Sequence, residues 1–173
     1  MDHTDHVRLL RDGVTEREGT WADLGSGTGA FTLALADLLA PGATIYSVDR
    51  DERALREQQR RLAARFPGAD VRIQVGDFTR PLELPPLDGV VMANALHFHR
   101  DKRPILALIR RYLKPGGTFV LVEYNTDRGN RWVPYPLSYS TWERLAWGGG
   151  LCPTAPLWRL PSRSPAGASS SRT

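Results

Sequence analysis

Cysteine is almost absent. Cys152 stands alone in 173 residues, so an intrachain disulfide and a cysteine zinc cluster are both excluded. A lone thiol fits a reducing cytoplasm. Long apolar runs are missing as well: none approaches the roughly 18–20 residues that a membrane-spanning helix needs. The start, Met1-Asp2-His3-Thr4-Asp5-His6, lacks the basic residues and apolar stretch of a secretory signal. Lysine is scarce, with 21 of the 23 basic residues being arginine, which reads as base-composition bias. Acidic residues are absent after Gly150, where Arg159, Arg163 and Arg172 lie. Residues 1–150 hold 20 basic and 19 acidic residues. The net charge of +4 is therefore mostly a property of the tail. A nucleic-acid partner, which needs a clustered basic face, is not expected.

What remains is ordinary globular composition, 41% apolar and 24% charged, in a length that suits one domain. Residues 20–24 read as a short strand entering a glycine turn, and 30–40 as a helix stopped by Pro41-Gly42. Residues 43–48 are a β-branched and aromatic run ending at Asp49. Asp51 is placed to cap a helix reaching about Phe66, with Leu55, Leu62 and Phe66 inward. Residues 71–75 form a third strand, 79–88 are Pro-rich and irregular, and 89–96 form a nearly continuous apolar strand. Asp101 is the expected cap of the next helix, whose buried stripe is Ile105, Leu108, Ile109, Tyr112 and Leu113. Lys114-Pro115-Gly116-Gly117 is a stop, 118–124 a fifth strand, and 140–147 one more helix. Such alternation predicts an α/β fold: a Rossmann-like, doubly wound, mostly parallel sheet in an α/β/α sandwich. Three regions follow: an N-terminal helical extension over 1–19, the domain over 20–150, and a divergent, partly disordered tail over 151–173.

Asp23-Leu24-Gly25-Ser26-Gly27-Thr28-Gly29 joins the first strand to the first long helix. Glycines let the backbone turn tightly and let a ligand approach, and the helix start offers free N–H groups. A tight loop without a ligand is the alternative, and lesser, reading of the glycines alone. A carboxylate at Asp23, two residues before the first glycine, would repel a pyrophosphate and suits an ammonium group. No Gly-Lys-Ser/Thr follows, so a P-loop is excluded. Asp49 ends the second strand 20 residues after Gly29, the place for an acid that takes two ribose hydroxyls or simply precedes a helix. Asp77-Phe78 ends the third strand and suits an adenine edge, or a turn acid beside a core ring. Asp23, Asp49 and Asp77 all line one edge of one sheet.

These segments resemble the class I S-adenosylmethionine-dependent methyltransferases, in particular the small bacterial type 11 and type 25 domains. The matches are Trp21-Ala22-Asp23-Leu24-Gly25-Ser26-Gly27-Thr28-Gly29, Tyr46-Ser47-Val48-Asp49, Val75-Gly76-Asp77-Phe78, the run from Asp88 to Leu96, and Leu113-Lys114-Pro115-Gly116-Gly117 with the strand after it. The resemblance implies that Asp23, Gly25, Ser26, Gly27 and Gly29 hold the methionine end of S-adenosylmethionine. It implies that Asp49 takes the ribose, with Arg50 beside the adenine, and that Asp77 and Phe78 read the adenine edge. Asn94 and Ala95 would lie near the transferable methyl. The implied reaction is in-line methyl transfer to a small molecule, leaving S-adenosylhomocysteine, in a cytoplasmic bacterial enzyme without a metal. His97, ahead of His99, is the candidate base if the nucleophile starts protonated. His3 and His6 are placed in a mobile N-terminus. The Asn-Pro-Pro-Tyr sequence of amino-group methyltransferases is absent, since Ala95 and Leu96 follow Asn94, which disfavours nucleic-acid and protein acceptors.

The aromatic stretch 128–139 reads either as part of a substrate pocket or as packing under the sheet edge. The family's sheet ends in a hairpin, which residues 152–173 are too poor in β-branched and aromatic residues to complete; 155–160 suit one short strand. An incomplete hairpin predicts an exposed edge, with either reduced stability or a homodimer across it. About 20 residues precede the first motif, so an open pocket, or one completed by a partner chain, is expected. Two rival functions stand beside the enzyme reading: a non-catalytic S-adenosylmethionine-binding protein, and a nicotinamide-dependent oxidoreductase. Asp23 and the lack of a recognisable Tyr-Lys pair speak against the second.

Overall fold

The computed structural model describes residues 1–151 and 154–156. Helix α1 (His3–Arg11) opens the chain, with Asp2 and Asp5 exchanging side-chain and backbone hydrogen bonds in a capping box. The elements β1 (Thr20–Leu24), α2 (Ala30–Leu38), β2 (Thr44–Asp49), α3 (Glu52–Arg65), β3 (Asp70–Val75) and β4 (Leu87–Ala93) follow. Then come α4 (Arg103–Tyr112), β5 (Leu113–Val122) and α5 (Tyr139–Gly148). All strand pairs are parallel, in the order β3-β2-β1-β4-β5. The chain winds outward from β1 to β3, then returns to the other side of β1. The loops after β1 and β4 therefore part at the carboxyl ends of the strands and leave a crevice there.

Strand alternation divides the core into two layers. Trp21, Ile45, Val91 and Val120 pack with Val7, Leu10, Phe31 and Leu35 from α1 and α2. Ala22, Leu24, Val48, Val90 and Met92 pack on the other face with Ile105, Leu106 and Ile109 of α4, joined by Trp142 and Leu145 of α5. The expected α/β/α arrangement is thus present. The Pro-rich connection 76–86 holds neither helix nor strand. Its Leu82 and Leu84 still cover the second cluster, and the Leu82 N–H donates to the Tyr112 hydroxyl at 2.8 Å.

Several expectations shift. The fourth strand ends at Ala93, because Asn94 turns left-handed at φ 51° and Leu96–Phe98 form a 3-10 turn. The first residue of β5 is Leu113, directly after α4, although its continuous pairing with β4 starts at Thr118. Lys102 holds the N-cap position of α4 without a side-chain bond, while Asp101, one residue earlier, accepts the Arg103 N–H at 3.2 Å and its guanidinium at 2.8 Å. Leu106 replaces Leu108 in the buried stripe of α4, while Tyr112 and Leu113 are half-buried. Phe66 is only half-buried as well. His3 and His6 are fixed on α1: His3 Nε2 lies 3.0 Å from Asp37, and the His6 ring packs edge-on to Phe31. The C-terminal readings for Cys152 and for 157–173, including the tail's disorder and most of the short strand, fall outside the described residues.

Gly89 faces Trp21 across the β1–β4 pairing so closely that an added Cβ would overlap the indole ring. Gly89→Ala should destabilise the fold by about 1–3 kcal/mol through overpacking, read as a lower urea midpoint followed by far-ultraviolet circular dichroism.

Candidate functional site

The loop after β1 is built to be tight. Gly25, Gly27 and Gly29 all have positive φ (78°, 54° and 81°), a region costly for side-chain-bearing residues. The Gly25 and Ser26 N–H groups donate to the Val48 carbonyl at 2.8 and 3.1 Å, binding the loop to β2. An added Cβ at Gly25 would come within 2.7 Å of Ala95, and one at Gly29 would overlap Gln58. At Gly27 nothing lies within 4 Å of that position, so the loop presents open space over its middle residue.

Beneath the loop lies a sealed polar network that the sequence reading missed. Gln58 of α3, fully buried, donates through Nε2 to Ser47 at 2.5 Å and to Thr32 at 3.1 Å. Ser47 donates to Ser26, and Ser26 returns a bond to Gln58 Oε1 at 3.2 Å, closing a ring of three side chains. Thr32 donates to Asp23 at 2.6 Å. Asp23 is only 1% exposed. The structure therefore turns Asp23 and the Ser26 hydroxyl into this network, where the sequence suggested an open face toward an ammonium. Burial pushes the Asp23 carboxyl up to about 7, and the Asp49 charge adds to that rise against the Thr32 hydrogen bond. Gln58 had one signal in the sequence, its place at helical spacing between Leu55 and Leu62 on the inner side of α3.

The other strand-end acids stay accessible. Asp49 accepts from the Gly27 N–H at 2.7 Å and the Asp51 N–H at 2.9 Å. Asp77 accepts from the hydroxyl and N–H of Thr79, which hold its carboxyl below the usual range, aided by Arg80 and Arg50. Phe78 lies against Gly25 and meets His99 edge-on at 5.3 Å. Gly25, Phe78 and Ala95 are thus brought together, as are Gly27 and Asp49, with Arg50 exposed beside Asp77. Asn94 is the one non-glycine residue at positive φ among the described residues, its N–H held by the Val122 carbonyl at 2.9 Å. Strain of this kind concentrates at functional sites.

A fourth strand-end acid, Glu123 after β5, also went unread. One of its oxygens accepts the Leu96 and His97 N–H groups at 2.9 and 3.1 Å. The other lies 2.7 Å from His97 Nδ1, and both side chains are buried. The segment 125–138 is pinned alongside: Tyr135 N–H donates to the His97 carbonyl, and Asp127 accepts twice from Ser138, the cap of α5. The Lys102 ammonium bonds the carbonyls of His99 and Tyr135, and burial holds it below the usual lysine range. Among the described residues no three His, Cys, Asp or Glu side chains group as a metal site.

Asp23 has a testable signature. Its raised folded value means that the folded chain keeps a proton which the unfolded chain has released above about 3.8. The contribution of Asp23 to stability should therefore be fully present below that value and be lost as pH rises toward about 7, by up to about 1.4 kcal/mol per pH unit. Asp23→Asn, which cannot ionise, should match the wild type near pH 4 and exceed it at pH 8 in thermal melts at both values.

A methyltransferase domain model matches residues 16–145. A 37.1 kDa protein of transposon TN4556 from Streptomyces fradiae is 32% identical over 69% of this chain and 34% of its own length. The demethylmenaquinone methyltransferase of Symbiobacterium thermophilum is 36% identical over 58% of this chain and 41% of its own. The chain thus spans less than half the length of these relatives. A solved S-adenosylmethionine-dependent methyltransferase from Aquifex aeolicus shares the fold, with a TM-score of 0.69 at 18% identity over 84% of this chain and 79% of that one. With a left-handed glycine turn at the switch point and the family pattern running through the whole sheet, the chain belongs to the methyltransferase domain family.

Proposed function

We propose that the chain binds S-adenosylmethionine along the carboxyl ends of β1, β2 and β3 and directs its methyl group to a small-molecule acceptor. The observation that carries this reading is the open space over Gly27 beside the Asp49 carboxylate. A nucleoside with two adjacent hydroxyls fits there: Asp49 accepts hydrogen bonds, Phe78 offers an apolar face, and Asp77 keeps a charged carboxylate for an amino group. Gly25 and Gly29 let the backbone approach closely, and Arg50 stands at the adenine side. The buried Asp23, through Thr32, and Ser26, through Ser47 and Gln58, hold the loop beneath the methionine end. Asn94 and Ala95 border the space where the acceptor meets the methyl.

When bound, S-adenosylmethionine supplies a methyl group on a positively charged sulfur, which leaves as a neutral thioether. The protein's share is positioning, since holding two reactants in line replaces an encounter in solution. The family membership and the strand-end acids favour this reading over a nicotinamide enzyme. Bacterial relatives support a bacterial setting, and a lone cysteine fits the cytoplasm. A second copy pairing along β5, one of the two edges of the described sheet, would make the homodimer.

Calorimetric titration with S-adenosylhomocysteine should give micromolar binding, weakened at least tenfold by Asp49→Ala. A folded protein that binds no S-adenosylhomocysteine would overturn the reading.

A further inference from the structure

We propose that Glu123 fixes His97 as a general base, and that the acceptor is a planar hydroxyl compound, a phenol or hydroquinone, lying against Phe98 and Tyr124. This rests on the methyl-transfer reading above.

Glu123 takes three donors: two main-chain N–H groups on one oxygen and the imidazole on the other. An ionised carboxylate only accepts, so Nδ1 carries the hydrogen and the lone pair stays on Nε2. The two N–H bonds keep the carboxylate from turning, and the 3-10 turn Leu96–Phe98 keeps the ring from sliding. Nε2 has no hydrogen-bond partner among the described residues, nor is it sealed from solvent as Trp21 Nε1 is. This is the arrangement in which a carboxylate orients an imidazole for proton uptake and offsets the positive charge that results.

The surroundings define the acceptor. Phe98 lies 4.2 Å from the His97 ring and is 57% exposed; Tyr124 lies 5.8 Å away, edge-on, and is 42% exposed. Two exposed aromatic faces flanking one buried imidazole make a platform for a flat ring. Toward the glycine loop the neighbours are Ala95 and Phe78, also apolar. The charged and titratable groups around the pair are Lys102, whose ammonium feels the Glu123 charge, and His99, which feels His97, Asp77 and Arg50. In the step itself, the acceptor O–H passes its proton to Nε2 as its oxygen forms a bond to the methyl carbon. The carbon–sulfur bond breaks with its electron pair returning to sulfur, and the imidazolium later releases the proton to water.

Long-range 1H–15N spectra of the full chain labelled with 15N-histidine should show His97 protonated at Nδ1 and bare at Nε2. In Glu123→Gln the amide oxygen can keep the two N–H groups while its NH2 donates to Nδ1. His97 should then switch to the Nε2–H form. With 1,4-naphthohydroquinone and methyl-labelled S-adenosylmethionine, Glu123→Gln should lower kcat about 10²–10⁴-fold with KM within threefold. Its S-adenosylhomocysteine affinity should be unchanged. An Nε2–H tautomer in the wild type, or an unchanged kcat in the variant, would overturn the base assignment. A wild type that binds S-adenosylhomocysteine but methylates neither 1,4-naphthohydroquinone nor 2-naphthol would overturn the acceptor class. Absent binding with the tautomer intact would instead sink the methyl-transfer reading and, with it, the acceptor.

Discussion

Gln58 is the residue on which the geometry of the site depends. Its amide spends both ends inside the protein, donating to Ser47 and Thr32 and accepting from Ser26. Those partners belong to β2, α2 and the glycine loop, so one side chain of α3 ties three elements together. A buried amide left without partners costs more than the bonds it makes, so the network holds only if every member stays in place. The side chain reaches this position because Gly29 has no Cβ to obstruct it. The glycine at the start of α2 is thus needed twice, for its left-handed backbone and for its missing side chain.

The four strand-end acids differ in burial, and burial sorts their chemistry. Asp23 is sealed and holds its proton toward neutral pH. Asp77 is open, hydrogen-bonded by Thr79 and ionised. Asp49 sits between these, with one oxygen on the loop and one on the turn into α3. Glu123 is buried like Asp23 but meets main-chain N–H groups and an imidazole, which can balance its charge. The same residue class at the same edge of the sheet therefore serves as support, as ligand acceptor and as partner to a base. Neutral and charged roles are divided by what each carboxylate faces.

Much of the fold was legible because short-range patterns carry it. Strand β1 and the Asp51 cap of α3 coincide with their sequence readings, since glycine turns and capping residues act locally. Asp101 lies one residue before the N-cap position yet still takes the Arg103 N–H, sharing its carboxylate with the Arg103 guanidinium. The apolar run from Gly89 did not reveal that Asn94 ends the strand, because an apolar stretch has no period to break. Leu106 was passed over for Leu108 because which side of α4 is buried depends on where β5 and α5 lie.

By itself, the sequence determined the alternation of strands and helices, the glycine turn, and the set of acids at one edge of the sheet. These follow from side-chain period and backbone preference, which neighbours along the chain settle among themselves. Only the tertiary structure decided which acids face outward, that Gln58 lies under the loop, and that Glu123 reaches His97. Those outcomes join residues 26 and 32 positions apart in the chain. They depend on how helices seat against the sheet, which no local pattern encodes.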